Sequence, residues 1–233
     1  PYGYGVVISG EEFALGYNLI YSGIDIIELL NKSINFTDYN YDDAAKSGFY
    51  DNLTTSIDIK TIIDDLISNI TTPYACGIEV DGLSTGVIEL NMVATAAVSS
   101  YGIYTANWAG DVIAEMDMNF ILGAGDTVFG MSLSGSESLV EESAMALFGN
   151  YTTGIASAMN NINITSVAID SLGSNEGTPA GYDMMGIETT GIHIVSGDAS
   201  ITNSDVNTTG KYAVDFKGEG AVTDNKLTAE LLI

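Results

Sequence analysis

The sequence predicts a mainly β protein: one extended antiparallel sheet of long strands, a meander, with one or two helices packed on a face. Apolar and polar residues alternate with a period of two over most of the chain, as in strands with one buried face. Turn-forming pairs such as Ser9-Gly10 and Asp81-Gly82 interrupt the alternation roughly every 10–15 residues, as hairpin connections do.

Six segments alternate most clearly and are predicted strands. They are residues 12–21, 86–98, 111–122, 127–133, 212–222 and 226–233. Sandwich strands usually span about five or six residues, so these longer runs favour one extended sheet. No repeat at a fixed period is evident, which argues against a solenoid.

One segment follows a helical period instead. Its apolar residues recur at i, i+3, i+4 and i+7 spacing, polar residues cover the opposite face, and Pro73 follows it. We therefore expect a helix over about 58–70, within an insertion of about 56–75 in a single β-rich domain spanning residues 1–233. Residues 24–30 and 139–148 fit either helix or strand.

Charge excludes two classes of partner. The chain has 31 acidic residues, six basic residues that are all Lys, and a net charge of −25. Without Arg or a basic patch, neither nucleic acid nor an anionic lipid surface is an expected partner. The uncharged windows at 90–110 and 143–169 contain several Asn and Ser residues, so no lipid-spanning helix is expected.

The sequence does not resemble that of an enzyme. His193 is its single His, lies between two Ile residues in a strand pattern, and is expected to be a surface or hydrogen-bonded side chain. Adjacent carboxylates such as Glu141 and Glu142 point to opposite faces of a strand, so they do not form a catalytic pair. No catalytic residue is predicted.

A calcium site is the one cofactor alternative left open. Asp38, Asn40 and Asp42 place oxygen ligands at alternate positions, as at the start of a calcium loop. Asp43 and Phe49 stand where an EF-hand has its Gly and its closing Glu. The segment is therefore a weak metal site or a solvated acidic loop.

Seven Asn-x-Ser/Thr sequons indicate an extracellular glycoprotein, with ordinary turn composition as the alternative. The acceptors are Asn31, Asn35, Asn52, Asn69, Asn150, Asn163 and Asn207. The chain opens at Pro1 rather than Met, and we expect a mature product from which an N-terminal segment was removed.

Cys76 is the single cysteine. In an oxidising compartment, a lone Cys is either a buried apolar residue or half of a disulfide between subunits. The residue follows the break at Pro73, between the predicted helix and the sheet, and both alternatives stay open.

The profile as a whole resembles the proteinaceous sheath subunits of filamentous methanogenic archaea. The likeness is compositional: 26 Gly and 13 Tyr in alternating strands, Thr sequons and almost no basic residues. It implies sheets that continue from subunit to subunit, forming hoops stacked into tubes around cells. The expected function is a structural subunit of an extracellular sheath, tube or surface layer of the cell envelope. A membrane β-barrel and a cell-surface adhesion module that binds glycans or calcium are the alternatives.

The expected partner is the chain itself, through edge-strand pairing near its two ends. Residues 13–21 carry no charge, residues 226–233 carry two charges, and neither run contains Pro. Native monomers usually guard such edges with Lys, Pro or bulges. The assembly residues predicted on these edges are Phe13, Leu15, Tyr17, Leu227 and Leu231.

Overall fold

The computed structural model describes residues 2–24, 64, 67–82, 84–106, 112–174 and 189–229. This part of the chain is mainly β, as predicted. Its strands are β1 (Tyr2–Ser9), β2 (Glu12–Gly16), β3 (Leu19–Gly23), β4 (Tyr74–Asp81), β5 (Ser84–Glu89), β6 (Met92–Ala96), β7 (Ser99–Ala106), β8 (Val112–Asp117), β9 (Phe120–Glu141), β10 (Ala144–Thr165), β11 (Ala168–Gly173), β12 (Thr190–Ile194), β13 (Asp198–Thr202), β14 (Asp205–Thr208), β15 (Tyr212–Phe216), β16 (Glu219–Thr223) and β17 (Lys226–Ala229).

The described strands form three parallel ladders, which we name sheets A, B and C. Sheet A contains β1, β4, β7, the middle of β9 and of β10, β12 and β15. Sheet B contains β2, β5, β8, the ends of β9 and β10, β13 and β16. Sheet C contains β3, β6, the starts of β9 and β10, β11, β14 and β17.

The predicted antiparallel meander is therefore wrong. Parallel and antiparallel strands share the period of two, so the alternation could not distinguish them. The turn signals are corners that lead the chain from one sheet to the next, and none of them closes a hairpin in the described sheets. Ser134-Gly135, for example, is a corner between sheets A and B inside the long strand β9, which runs through all three sheets.

The chain passes through sheets A, B and C in turn, so that three strands make one coil and seven coils stack along an axis. Phe120, Ala144 and Ala168 occupy the same position in successive coils, 24 residues apart. The interval is 73 residues from Leu19 to Met92. The architecture is a parallel β-helix, which is a solenoid. The absence of a fixed sequence period argued against a solenoid, and that period is absent because the coils differ in length.

Apolar side chains fill the space between the three sheets. Along sheet A the inward positions stack without solvent exposure: Ile78, Ile103, Met131, Ile155 and Ile192. Beside them runs a row of glycines: Gly77, Gly102, Gly130, Gly154 and Gly191. A Cβ added at Gly77 or Gly102 would collide with side chains of sheet C. The glycine row therefore lets sheet A approach sheet C closely.

Sheets B and C meet at a two-residue corner in every coil. The first corner residue has a φ between 43° and 61° although it is never glycine: Tyr17, Leu90, Met118, Glu142, Ser166, Asn203 and Asp224. This backbone conformation costs about 1–3 kcal/mol for such residues and needs support from its surroundings. The second corner residues are Asn18, Asn91, Asn119, Ser143, Val167, Ser204 and Asn225.

The predicted helix at 58–70 lies mostly outside the described residues. Asp64, Ile67 and Ser68 have helical backbone conformation. No helix is delimited in the described part of the chain, however, and none packs there on a sheet face. The ambiguous segment 139–148 is strand, at the end of β9 and the start of β10.

Candidate assembly interface at the two ends of the stack

The first coil, β1–β3, leaves one side of its strands unpaired among the described residues. On the paired side, the Thr85 N–H donates to the Glu11 carbonyl at 2.9 Å, and the Tyr17 N–H donates to the Glu89 carbonyl at 3.2 Å. Successive residues of a strand present their N–H and C=O groups alternately to the two sides. Ala14 therefore presents its groups to the open edge.

The last coil, β15–β17, has the complementary side without a strand partner among the described residues. Its Lys226 N–H donates to the Ser204 carbonyl at 2.8 Å, which is a bond back into the stack. By the same alternation, Leu227 presents its N–H and C=O groups away from the stack. Each end thus offers strand donors and acceptors to a further coil.

The apolar column opens to solvent at both ends. Inward-facing Phe13 and Leu15 of the first coil pack on the core but are only partly buried. In the last coil, Val222 and Leu227 are 41% and 44% exposed, whereas their stacking partners one coil earlier are fully buried. A further coil at either end would cover apolar side chains as the internal coils do.

A hydrogen-bonded ladder joins the corners of successive coils. Where Asn91 follows Asn18, the bonds between the two coils include four that recur at other corners: Tyr17 N–H to the Glu89 carbonyl (3.2 Å), Met92 N–H to the Asn18 carbonyl (2.8 Å), Asn18 N–H to Asn91 Oδ1 (3.2 Å) and Asn91 Nδ2 to the Leu15 carbonyl (3.1 Å). The same four bonds recur where Asn119 follows Asn91 and where Asn225 follows Ser204.

Serine at the corner supplies only half of this side-chain exchange. Ser143 Oγ accepts from the Asn119 N–H at 3.1 Å but donates within its own coil, to the Glu141 carbonyl. At the described corners between sheets B and C, Asn reaches back to a carbonyl of the preceding coil and Ser does not. Asn18 stands in the first coil, and its Nδ2 bonds Gly16 O at 2.8 Å and Asn91 Oδ1 at 3.0 Å instead.

The two ends differ in charge. Residues 211–229 contain three Lys and three acidic residues and carry no net formal charge. These three, Lys211, Lys217 and Lys226, are all the lysines of the described residues. Residues 2–24 carry Glu11 and Glu12 and a net charge of −2. The last coil is therefore the less negative end of an acidic protein.

Aromatic rings line part of sheet A. The ring centroids of Tyr4 and Tyr74 lie 5.5 Å apart, those of Tyr74 and Tyr101 5.6 Å, and Tyr101 stacks on Phe129 at 5.1 Å. A groove of about 270 Å³ adjoins the inner end of this row, lined by aromatic and hydroxyl side chains that include Tyr104. The outer end of the row is Tyr4, in the first coil.

Four of the five predicted assembly residues lie in the end coils. Phe13 and Leu15 are in β2, Tyr17 is the first corner residue, and Leu227 is in β17. Leu231 lies outside the described residues. Their role in assembly stays a prediction. The sequence reasoning overlooked the neighbouring Asn18, although an Asn or Ser after an apolar run recurs along the chain.

The sequons differ in accessibility. Asn69 and Asn163 are exposed, and Asn207 is buried with its Nδ2 3.1 Å from Asp170 Oδ1. Asn150 is partly buried, and both of its side-chain polar atoms are hydrogen-bonded. The remaining acceptors, Asn31, Asn35 and Asn52, lie outside the described residues.

We expect glycan on Asn69 and Asn163 of native material, with Asn150 and Asn207 unmodified. A glycan replaces a hydrogen of Nδ2 and needs solvent around it, which the buried Asn207 lacks. Glycopeptide mapping by mass spectrometry measures occupancy at each site. Glycan on Asn207, or an unoccupied Asn163 in otherwise glycosylated protein, would contradict this assignment.

Cys76 is fully buried in β4, and its thiol donates to the Ile78 carbonyl at 3.4 Å. Burial, and secondarily Glu79, raise the pKa of the thiol to about 12. Disulfide formation proceeds through the thiolate. This environment favours the buried-thiol alternative, since a bridge between subunits would require β4 to open.

His193 is fully buried, with its Nδ1 3.0 Å from Asp215 Oδ2 of the next coil. Burial lowers the pKa of His193, and the carboxylate opposes this shift in part. The imidazole is thus held neutral near pH 7. The structure therefore excludes the expected surface position for His193 and places the ring in the interior, beside the Asp215 carboxylate.

The calcium ligands suggested by the sequence, Asp38, Asn40 and Asp42, lie outside the described residues. Among the described residues, no three His, Cys, Asp or Glu side chains come together as a metal site would require. Within the same part of the chain, no helix has the length and apolar character needed to cross a membrane.

Comparisons with protein-family models, with curated proteins and with solved structures find no match to this chain.

Proposed function

We propose that the chain is a structural subunit of an extracellular sheath, tube or surface layer, which polymerises through the open strands of its two end coils. The observation that carries the proposal is the pair of end coils, whose outer strand groups have no strand partner among the described residues and whose inward-facing apolar residues are partly exposed. Native β proteins usually cover or guard such edges. A second copy of the chain would pair the strands and cover both apolar layers.

The energetics favour stacking once charge repulsion is screened. Burial contributes about 25 cal/mol per Å² of apolar surface, so a few hundred Å² at each joint would contribute several kcal/mol. The net charge of −25 opposes association at low ionic strength. Salt or divalent cations should therefore promote polymerisation. Exposed sequons at Asn69 and Asn163 support the extracellular location.

The proposal is tested by removing one outward-pointing N–H at each end. Ala14→Pro and Leu227→Pro place proline where the N–H has no partner within the described coils, so the fold should survive. We expect the wild-type chain to form polymers visible by negative-stain electron microscopy in high salt, and the double variant to remain a folded monomer by light scattering and circular dichroism.

The control variants Ala14→Ser and Leu227→Val keep the N–H groups and should polymerise like the wild type. A wild-type chain that stays monomeric at every salt and protein concentration would overturn the proposal. So would a double variant that still forms wild-type polymers, because the joint would then lie elsewhere.

The adhesion alternative draws on the groove beside the aromatic row. Aromatic rings such as Tyr104 next to the hydroxyls of Ser132 and Ser134 are groups that stack on and hydrogen-bond to sugars. A soluble wild-type monomer that binds glycans would replace the sheath proposal with this one.

A further inference from the structure

We infer that copies join head to tail, the last coil of one on the first coil of the next, in the register of the corner ladder. The inference rests on the proposed function and specifies the polarity and register of its joint. The partner is a second copy of this chain.

The register follows from the pairing inside the molecule. Traced through all seven coils, Tyr212 occupies the position of Tyr4. By the same tracing, Val222 occupies the position of Leu15. Lys226 occupies the position of Leu19, which places Asn225 directly below Asn18 of the next copy.

In this register the two ends complete each other's corner. Four bonds, of the kind seen at Asn91, Asn119 and Asn225, would cross the joint: Asp224 N–H to the Gly16 carbonyl of the next copy, Leu19 N–H of the next copy to the Asn225 carbonyl, Asn225 N–H to Asn18 Oδ1 of the next copy, and Asn18 Nδ2 of the next copy to the Val222 carbonyl. Asn18 is thus an asparagine at the position from which Asn91, Asn119 and Asn225 donate to a carbonyl of the preceding coil.

Two further features fit this polarity. The first coil carries a charge of −2 and the last coil is neutral, so head-to-tail contact avoids placing two copies of Glu11 and Glu12 together. Tyr212 would also extend the aromatic row that ends at Tyr4. Pairing of like ends would make the joint strands antiparallel and break the corner register. A head-to-tail contact does not close on itself and builds a filament.

Two variants, each blocked at one end, test the polarity. Ala14→Pro blocks the first coil and Leu227→Pro blocks the last, so each alone should remain a monomer. An equimolar mixture should form 1:1 heterodimers, measured by mass photometry with one variant fused to a mass tag. A homodimer of either variant alone would overturn the inference and leave the proposed function standing. A monomeric mixture alongside a polymerising wild type would also overturn it.

The register is tested with Asn18→Ala placed in the Leu227→Pro variant. Loss of the two side-chain bonds across the joint should weaken the heterodimer at least about tenfold. Asn160→Ala, an exposed Asn that lies four coils from the first coil and outside every sequon, should leave the affinity unchanged. Equal affinities for both variants would exclude the ladder register even if the polarity held. Failure of the wild type to polymerise would instead overturn the proposed function itself.

Discussion

Replacement of Gly154 by alanine is expected to lower the melting temperature by about 6–12 °C or to prevent folding. The added Cβ would overlap the Gly191 carbonyl of the next coil and Cγ2 of Ile169, both of which are held by the surrounding stack. Gly154 O is in turn the atom that a Cβ on Gly130 would meet at 2.6 Å, so one coil cannot shift without its neighbour. Overpacking of this kind costs about 3 kcal/mol, and 1 kcal/mol shifts the melting temperature of a chain this size by about 2–4 °C.

Gly10→Ala is the matched control. Gly10 has no atom within 4 Å of an added Cβ and lacks a positive φ, so this substitution should leave the melting temperature unchanged. Thermal unfolding followed by circular dichroism compares the two variants. Equal melting temperatures would show that the glycine row is not what sets the spacing between sheets A and C.

The mainly β character of the chain could be predicted from the sequence, because alternation of period two records burial on one side of a strand. The alternation over residues 86–98 predicts one strand, and the structure divides this segment into β5 and β6 at the corner Leu90–Asn91. The alternation carries no information on strand direction. Parallel pairing could therefore be inferred from the sequence only by detecting a repeat.

The repeat was hidden by unequal coil lengths. Equivalent positions lie 24 residues apart at Phe120, Ala144 and Ala168, but 73 apart between Leu19 and Met92. The glycine row carries the same signal with intervals of 25, 28, 24 and 37 residues. No search for one fixed period would detect it.

The corners between sheets B and C could not be predicted from the sequence, for a different reason. Turns with positive φ are expected at Gly, Asn or Asp, whereas Tyr17, Leu90 and Met118 adopt this conformation here. Their conformation is supported by the coil stack, through bonds such as Leu90 N–H to the Asp117 carbonyl at 3.0 Å. Local sequence cannot reveal a turn whose support comes from the next coil. The sequence predicts an assembly role for Tyr17, which stays a prediction, but it indicates no role for the adjacent Asn18.

Replacement of Asn119 by alanine should therefore be among the most damaging polar substitutions in the protein. Asn119 is buried, its Oδ1 accepts from Asn91 N–H (3.2 Å) and Nδ2 (3.1 Å), and its Nδ2 donates to the Ile88 carbonyl (2.7 Å). Alanine leaves the Asn91 N–H without its acceptor in a buried site, at a cost of about 1–3 kcal/mol. It also removes one bond from Asn91 Nδ2, which keeps its bond to the Leu15 carbonyl, and one bond from the Ile88 carbonyl, at a cost of about 1 kcal/mol each. We expect a total loss of about 3–5 kcal/mol in the free energy of unfolding, measured by urea denaturation.

Asn119→Ser separates the ladder from simple side-chain loss. A serine hydroxyl at this corner can accept from the preceding N–H, as Ser143 does from Asn119 at 3.1 Å, but it cannot reach the Ile88 carbonyl. The serine variant should therefore retain a stability between those of the alanine variant and the wild type, with a loss of about 1–2 kcal/mol. If alanine and serine at position 119 were equally stable, the hydrogen bonds of the corner would not stabilise the coil stack. In that case the positive φ of Met118 would have to be supported by packing alone.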